Sequence, residues 1–583
     1  VVARPEIFST IPIDRLGDPI EVGAFCAING VTTERELSRL PPRRSFNVAA
    51  SHPERIQGVQ STMTWDKTYD VVVVGSGGAA LAGALAAAHR GLSTCVLEKT
   101  DRFGGTSAYS GGSVWLPGNH VLARQGVDDS VEKGLTYFRA VVGDRTQPQV
   151  QQAYLETGPA VAEFLENTVG IPLEHRPFPD YFDAPGRSDN GRSIFAEPIA
   201  ADEVGGRLSD VRPTVAADQF GAAVDRSMLD GGQAWIARMV LALDAIGHAD
   251  LLLSTGVARL TQNESGDVTG VVAIAPDGTE TRIRARAGVL LAAGGFERSA
   301  QLRKRWQNMP TADWSSSHPG TGSGDAIAML ETVGAALDLL DQSWWCPATL
   351  FPNGHAVFTL GIRSGIIVDG TGRRFANEML PYDQLGRAMR AQMETGSEEF
   401  WFVFDDSSDG RFPAICVPGP DRAEMTAAGL WHTAETVADL ARSLAVEPAA
   451  LAATVGRFNE LAERGADEDF HRGADPFGRF FVGASEPAQC LRPLNGARLH
   501  AVRLVLGDLG TKGGAVIDRD GVVQRPDGSA ITGLYAAGNS SASISGEVYP
   551  GPGVPLGSGM VMAYRAVADM AARLGETKTV ATS

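Results

Sequence analysis

The sequence predicts an α/β protein built around a dinucleotide-binding βαβ unit. Three observations carry that prediction. Residues 70–98 read as strand, glycine-rich turn, Ala/Leu-rich helix and second strand; Gly288–Glu297 (GVLLAAGGFE) is an apolar strand ending in Ala-Ala-Gly-Gly; Gly533–Ser543 (GLYAAGNSSAS) is a strand ending in Gly-Asn. Strands that stop at small-residue turns suit an open sheet whose strand ends meet a ligand through backbone.

The composition bounds what such a protein can do. The chain has 583 residues, with 51 Lys+Arg against 69 Asp+Glu and a net charge of −18, which argues against nucleic acid as a partner because counterion release needs a basic face. At 43% hydrophobic and 21% charged it is an ordinary globular composition with a sizeable core. Its 68 glycines are in excess without a collagen-like period, so they are expected where backbone approaches something closely. Cys26, Cys95, Cys346, Cys416 and Cys490 include no C-x-x-C pair, which fits free thiols in a reducing compartment. No apolar run is long enough to span a bilayer, and no basic flank precedes an apolar stretch at the N-terminus, so a cytoplasmic location is expected.

Residues 1–62 mix charges, Pro and Arg with no sustained period. They read either as a weakly structured leader, with Met63 opening the functional domain, or as an arm packed on it.

The unit DVVVVGSGGAALAGALAAAHRGLSTCVLEK has the order of a dinucleotide fingerprint. Gly75 makes the tight turn, Gly77 lets backbone approach a pyrophosphate, and Ala80 permits close helix-to-strand packing. Gly78 and Ala79 open the helix whose N-terminus offers N–H donors and partial positive charge to the phosphates. Glu98, ending the second strand, is placed for ribose hydroxyls and disfavours a 2′-phosphate. Lys99 and Thr100 follow, and then the Gly/Ser/Thr-rich stretch Phe103–Asn119, with Gly105, Thr106, Ser107, Ser110, Gly111 and Gly112, which suits the ribityl chain and pyrophosphate of a flavin. FAD is therefore the expected cofactor.

These separated pieces resemble the fumarate reductase/succinate dehydrogenase-like flavoproteins, an interrupted Rossmann-like FAD-binding domain with an inserted α+β catalytic domain. That resemblance implies cofactor contacts at Val257, Ala293, Gly294, Gly538, Asn539, Pro555 and Leu556. It divides the chain into 63–341 and 511–583 for the FAD-binding domain and 342–510 for the substrate domain. The insert has its own strands (GIIVDGTGRRFANE, FWFVFDD) and a helical stretch beginning at His432.

Three tyrosines sit beside Pro or Gly outside the cofactor loops: Tyr181 in FPDYF, Tyr382 in NEMLPYDQLGRAM and Tyr549 in YPGPGVPLG. In Tyr549–Gly553 the prolines stiffen the loop and leave glycine N–H groups free, a means of aiming a phenol and an N–H at one developing oxyanion. With GTSAYSGGSVWLPG, LLDQSWWCP, DEDFHRGADPF and LGDLGTKGGAVIDRDG, these motifs resemble in order and spacing the 3-ketosteroid 1-dehydrogenases, from Met63 to about Ala572. The resemblance implies a 3-ketosteroid substrate and four site residues. Tyr549 and Gly553 would polarise the 3-keto oxygen, Tyr382 would take the carbon 2 proton with Tyr181 bonded to it or relaying the proton, and carbon 1 would lose hydride to flavin N5. A tyrosine has an ordinary pKa near 10, so Tyr382 needs a lowered pKa or a concerted transfer; Arg387 is the nearest cation following it in the chain.

The resemblance further implies a quinone or other electron acceptor, a monomer or small homo-oligomer, and FAD held non-covalently, because GGTSAYSGG lacks the tethering His of membrane-complex relatives. The alternatives are 4(5α)-desaturation, fumarate reductase-like chemistry and a non-catalytic flavin-binding protein. The apolar Phe178, Phe182, Trp344 and Trp345 are expected to suit a neutral ketone. His471, His500 and Cys346 read as structural. No metal site is expected, since Asp467, Glu468 and Asp469 lack ligand spacing and read as a solvated face.

Overall fold

A computed structural model describes residues 64–408 and 410–582. The segment 1–62, Met63 and Cys26 lie outside the described residues. The core is a sheet ordered Val522–Gln524, Ala530–Ala536, Glu280–Leu291, Lys67–Val74, Thr94–Leu97 and Ala249–Leu252. All its neighbours are parallel except the Val522–Gln524 edge. Val71, Val72 and Val73 are fully buried, and a strand covered on both faces reads as a continuous β-branched run rather than an alternation. Gly256–Gln262 and Val268–Ile274 extend the outer half of Glu280–Leu291 as an antiparallel arm.

The first helix, Gly78–His89, packs between this sheet and the C-terminal helix Val554–Thr582. Ala80 is fully buried, yet the closest approach falls at Gly83, where a Cβ would stand 2.4 Å from Leu290 Cδ2 and 3.3 Å from Ala563 Cβ. Any larger residue there would wedge helix from sheet.

A second sheet is antiparallel, ordered Ile366–Asp369, Phe400–Asp405, Leu499–Thr511, Ser343–Leu350, Ala356–Leu360 and Ile415–Cys416. Trp431–Ala434 pairs with Leu499–Val502. The helical reading of the segment from His432 is corrected accordingly: its first residues are strand, and the helices are Val437–Ser443, capped by Thr436, and Pro448–Arg464. The two connections between the sheets run side by side, Leu337–Asp338 pairing with Gly514–Ala515 just below the Ser343–Thr511 end of the larger ladder.

Between the first cofactor loops and the arm lies a smaller layer. Helices Val131–Val142 and Pro148–Glu163 cover a three-stranded sheet of Val114–Trp115, Ser193–Ala196 and Leu173–His175. This layer carries the FPDYF loop.

The acidic cluster is not one solvated face. Asp467 is buried and accepts from Arg374 at 2.9 Å, while Glu468 and Asp469 pair with Arg457 at the surface. A buried carboxylate is tolerated there because the guanidinium and the Asp469, Phe470 and Arg472 backbone N–H groups satisfy it. Cys95, Cys346 and Cys490 are buried free thiols, and Cys416 is buried as well. No helix among the described residues is long and apolar enough to cross a membrane.

Candidate active site

One continuous cavity runs from the glycine-rich turn of the first strand to the tyrosines. Its nucleotide end is built from backbone. Gly75 has φ +103°, and a Cβ on it would lie 2.4 Å from the Ala292 carbonyl oxygen, so only glycine fits that turn. Gly77, Gly78 and Ala79 line the cavity at the helix N-terminus, with Gly105, Thr106, Ser107, Ser110, Gly111 and Gly112 opposite. The Gly78 N–H donates to Ser107 Oγ at 3.0 Å. Glu98 is held at the wall by the Ser76 hydroxyl at 2.5 Å and the Thr100 N–H at 2.8 Å. Lys99 lines the cavity but is paired with Asp325 at 2.9 Å. Val257, Ala293, Gly294, Gly538, Asn539, Pro555 and Leu556 complete this lining, and Gly294, at φ +81°, has nothing within 4 Å of the Cβ position.

Ala80 and Thr100 do not line the cavity. Ala80 is in the helix core, and the Thr100 hydroxyl is engaged with Glu98 and Arg212. Ser76, Tyr109, Ser113 and Glu297 line it as well. Three of these adjoin predicted residues within the same motifs, so their neighbours were the available signal. Helix-terminal donors, an anchored carboxylate and glycines that keep the backbone bare are a donor set that fits a dinucleotide.

The other end is built from side chains. Tyr181, Tyr382 and Tyr549 form a triangle with ring centroids 5.3–5.6 Å apart, all edge to face. The Tyr181 hydroxyl donates to Tyr382 Oη at 2.9 Å, and the Gly553 N–H donates to Tyr549 Oη at 3.3 Å. Tyr382, Tyr549 and Gly553 line the cavity; Tyr181 is buried behind Tyr382. Each is positioned by its neighbours in sequence. Pro381 starts the helix Tyr382–Glu394, so Tyr382 occupies its first turn, where partial positive charge favours an anion. The Tyr549–Gly553 loop is tied at both carbonyls of its prolines: Pro550 O accepts from Tyr137 Oη and the Tyr181 N–H, and Pro552 O accepts from Ser113 and Ser193. Gly553 has φ +92°, with Ser113 carbonyl carbon 2.4 Å from the Cβ position.

Burial pushes all three phenols up, Tyr382 and Tyr181 well above the ordinary value and Tyr549 to about 12, where the Tyr382 and Gly553 hydrogen bonds hold it down. The lowering that sequence reasoning requires of Tyr382 is therefore not supplied by its burial or by Arg387, whose guanidinium donates to the Glu547 carbonyl at 2.7 Å. A buried ammonium, Lys512, pairs instead with Asp383, the residue after Tyr382, from 129 positions away in the chain.

Phe178, Phe182, Trp344 and Trp345 do not form the expected apolar wall. Phe178 packs behind Tyr181 against Phe477, Phe480 and Phe481, Trp344 stands edge-on to Tyr549, and Trp345 lies under Arg303 and Arg390. The wall is instead Val215, Val357, Phe358, Leu360, Ile415 and Val417. His500 is buried in a structural network, with Asp406 at 2.8 Å from its Nε2 and Thr433 at 2.9 Å from its Nδ1. His471 closes a turn at φ +57°, and Cys346 is buried with its thiol pushed up.

The FAD binding domain family matches residues 70–556. A 3-oxosteroid 1-dehydrogenase of Mycobacterium tuberculosis is 36% identical over 87% of this chain and 99% of its own length, and one of Rhodococcus opacus is 38% identical over 87% and 99%. The chain belongs to the 3-oxosteroid 1-dehydrogenase family. Among solved structures, the family's 3-ketosteroid Δ1-dehydrogenase from Sterolibacterium denitrificans, in complex with 1,4-androstadiene-3,17-dione, has a TM-score of 0.80 at 32% identity, covering 87% of this chain and all of that one. A flavocytochrome c3 fumarate reductase shares the fold, with a TM-score of 0.62 at 21% identity, covering 88% of this chain and 79% of its own. The protein is thus an FAD-dependent oxidoreductase.

Proposed function

We propose that this family member desaturates the C1–C2 bond of 3-ketosteroids. The observation that carries the reading is the convergence of Tyr382, Tyr549 and the Gly553 N–H on one end of a cavity whose other end is the dinucleotide cradle. A ketone oxygen within reach of both the Tyr549 hydroxyl and the Gly553 N–H has two donors for the negative charge that develops when carbon 2 loses its proton. Tyr382 Oη takes that proton as a phenolate, to which Tyr181 donates and which the first turn of the Tyr382–Glu394 helix favours. Bound FAD supplies the acceptor for the hydrogen and electron pair that leave carbon 1.

The apolar wall supports a neutral polycyclic ketone. Among the described lining residues Lys99 is the sole Lys or Arg, and it is paired with Asp325 at the nucleotide end. A carboxylate-bearing cyclohexanone, named as the substrate of a relative from Sinomonas cyclohexanicum that is 32% identical, finds no Lys or Arg among the described residues lining the tyrosine end. The division into an interrupted cofactor domain and an insert at 342–510, a quinone or other reoxidant, non-covalent FAD, a monomer or small homo-oligomer and a cytoplasmic location belong to the same proposal.

The test is turnover. Androst-4-ene-3,17-dione with an artificial electron acceptor should yield the 1,4-diene; conversion only of 5α-saturated steroids to 4-enes would select 4(5α)-desaturation instead.

A further inference from the structure

The segment LGDLGTKGG has no part in the chemistry above, yet it places Lys512 at the meeting point of the elements that carry the tyrosines. Lys512 is fully buried. Its Nζ lies 3.4 Å from Asp383 Oδ1, donates to the Glu547 carbonyl at 2.6 Å and stands 4.4 Å from the Trp344 ring centroid. Each of those contacts leads to the site. Asp383 follows Tyr382 in the first turn of its helix, Glu547 lies two residues before Tyr549, and the Trp344 ring packs edge to face on Tyr549 at 4.9 Å. Trp344 Nε1 also donates to Asn539 at 3.2 Å, in the cofactor cradle. Such a residue has two jobs open to it: to set the spacing between the helix of Tyr382 and the loop of Tyr549, and to offset the charge of Asp383 beside them.

We propose that Lys512, paired with Asp383, is a positioning residue for the proton-abstraction step, holding Tyr382 and Tyr549 in register and neutralising the carboxylate field that opposes phenolate formation. The inference rests on the function proposed above. A buried ammonium is expensive unless paired, and Asp383 is its anion. Burial pushes Lys512 down to about 8 and pushes Asp383 up, while each favours the charged form of the other. The groups facing Lys512 are Asp383, Arg387 and Glu547, of which Arg387 disfavours its charge. Asp383 in turn raises the pKa of Tyr181 and Tyr549. The sign follows. Below about pH 8 the pair is neutral as seen from the phenols; above it the loss of the Lys512 proton leaves Asp383 uncompensated and makes the phenolate harder to form.

The experiment compares Lys512→Met, Asp383→Asn and the double variant, each purified with FAD, against the wild type. Lys512→Met should lose at least 30-fold in kcat with KM within about threefold, and should lack the break that the wild-type profile shows near pH 8. Adding Asp383→Asn should restore at least fivefold of that loss, because it removes the uncompensated carboxylate. Asp383→Asn alone should move the rising limb of the kcat profile to lower pH. A yellow Lys512→Met protein with wild-type kcat and an unchanged profile would overturn the proposal. So would a loss that the double variant does not relieve. If Lys512→Met does not fold, an unshifted rising limb in Asp383→Asn overturns it alone. A readout without turnover separates this inference from the functional one: the alkaline tyrosinate absorbance assigned to Tyr382 by difference with Tyr382→Phe should titrate at lower pH in Asp383→Asn, whatever the substrate is, and an unmoved titration would overturn the proposal.

Discussion

The two ends of the cavity are made differently. The nucleotide end is backbone: glycines at positive φ, a helix N-terminus and one anchored carboxylate, mostly within three short segments. The tyrosine end is side chains, brought together from the FPDYF loop, the Tyr382–Glu394 helix and the YPGPG loop, and supported by polar groups buried behind them. Backbone recognition fails by collision when a side chain is added, whereas side-chain chemistry fails by losing one atom. The two ends should therefore respond to substitution through different observables.

Tyr382→Phe is the largest expected effect, a loss of about 10³-fold in kcat, in the range of general acid–base contributions. Flavin absorbance should remain, since the cradle is untouched; near-normal turnover would remove Tyr382 from the base role. Gly553→Ala comes next. At φ +92° and with a Cβ 2.4 Å from the Ser113 carbonyl carbon, it must displace the donor N–H, costing about 10²-fold in kcat, the size of one oxyanion donor. A substitution that lowered flavin content more than kcat would show that the loop serves the cradle rather than the ketone. Gly75→Ala should do the reverse. The collision with Ala292 O should weaken FAD about tenfold or more by flavin titration, while protein reloaded with excess FAD turns over within a fewfold of wild type. Smallest is His500→Asn, which breaks the contacts to Asp406 and Thr433. Its kcat should stay within about twofold while Tm falls by a few degrees, as expected for a buried polar contact away from the site.

The same contrast decides what was legible in the sequence. The α/β class, the cofactor and the family follow from motifs because a glycine turn, a strand and a helix N-terminus are local, and Gly75 to Glu98 lie in one supersecondary unit. The apolar wall was not legible. Val215, Val357, Leu360, Ile415 and Val417 are ordinary residues in separate segments that only the tertiary fold brings to one cavity, while the more conspicuous Trp344 and Trp345 pack elsewhere. Lys512 was missed for the same reason. It is 129 residues from Asp383 in the chain, so a search for a cation near Tyr382 finds Arg387, whose guanidinium goes to a backbone carbonyl. Asp467 shows the opposite error: an acidic run reads as surface until its arginine partner, 93 positions away, is in view.

The paired crossing strands between the sheets have a mechanical consequence. Leu337–Asp338 with Gly514–Ala515, continuing into Ser343–Leu350 with Leu499–Thr511, form one ribbon, and the Lys512 N–H bonds to Gln342 O at 3.0 Å across it. A hydrogen-bonded ribbon resists shear along its strands and bending within its plane, but flexes about an axis lying across it. Taken alone, the ribbon would give the antiparallel sheet one soft direction and two stiff ones relative to the parallel sheet, while the Tyr181–Tyr382 and Arg187–Asp475 contacts tie the two parts together as well. Lys512 sits in that ribbon, so any bending of it would pass through the backbone that carries the ammonium.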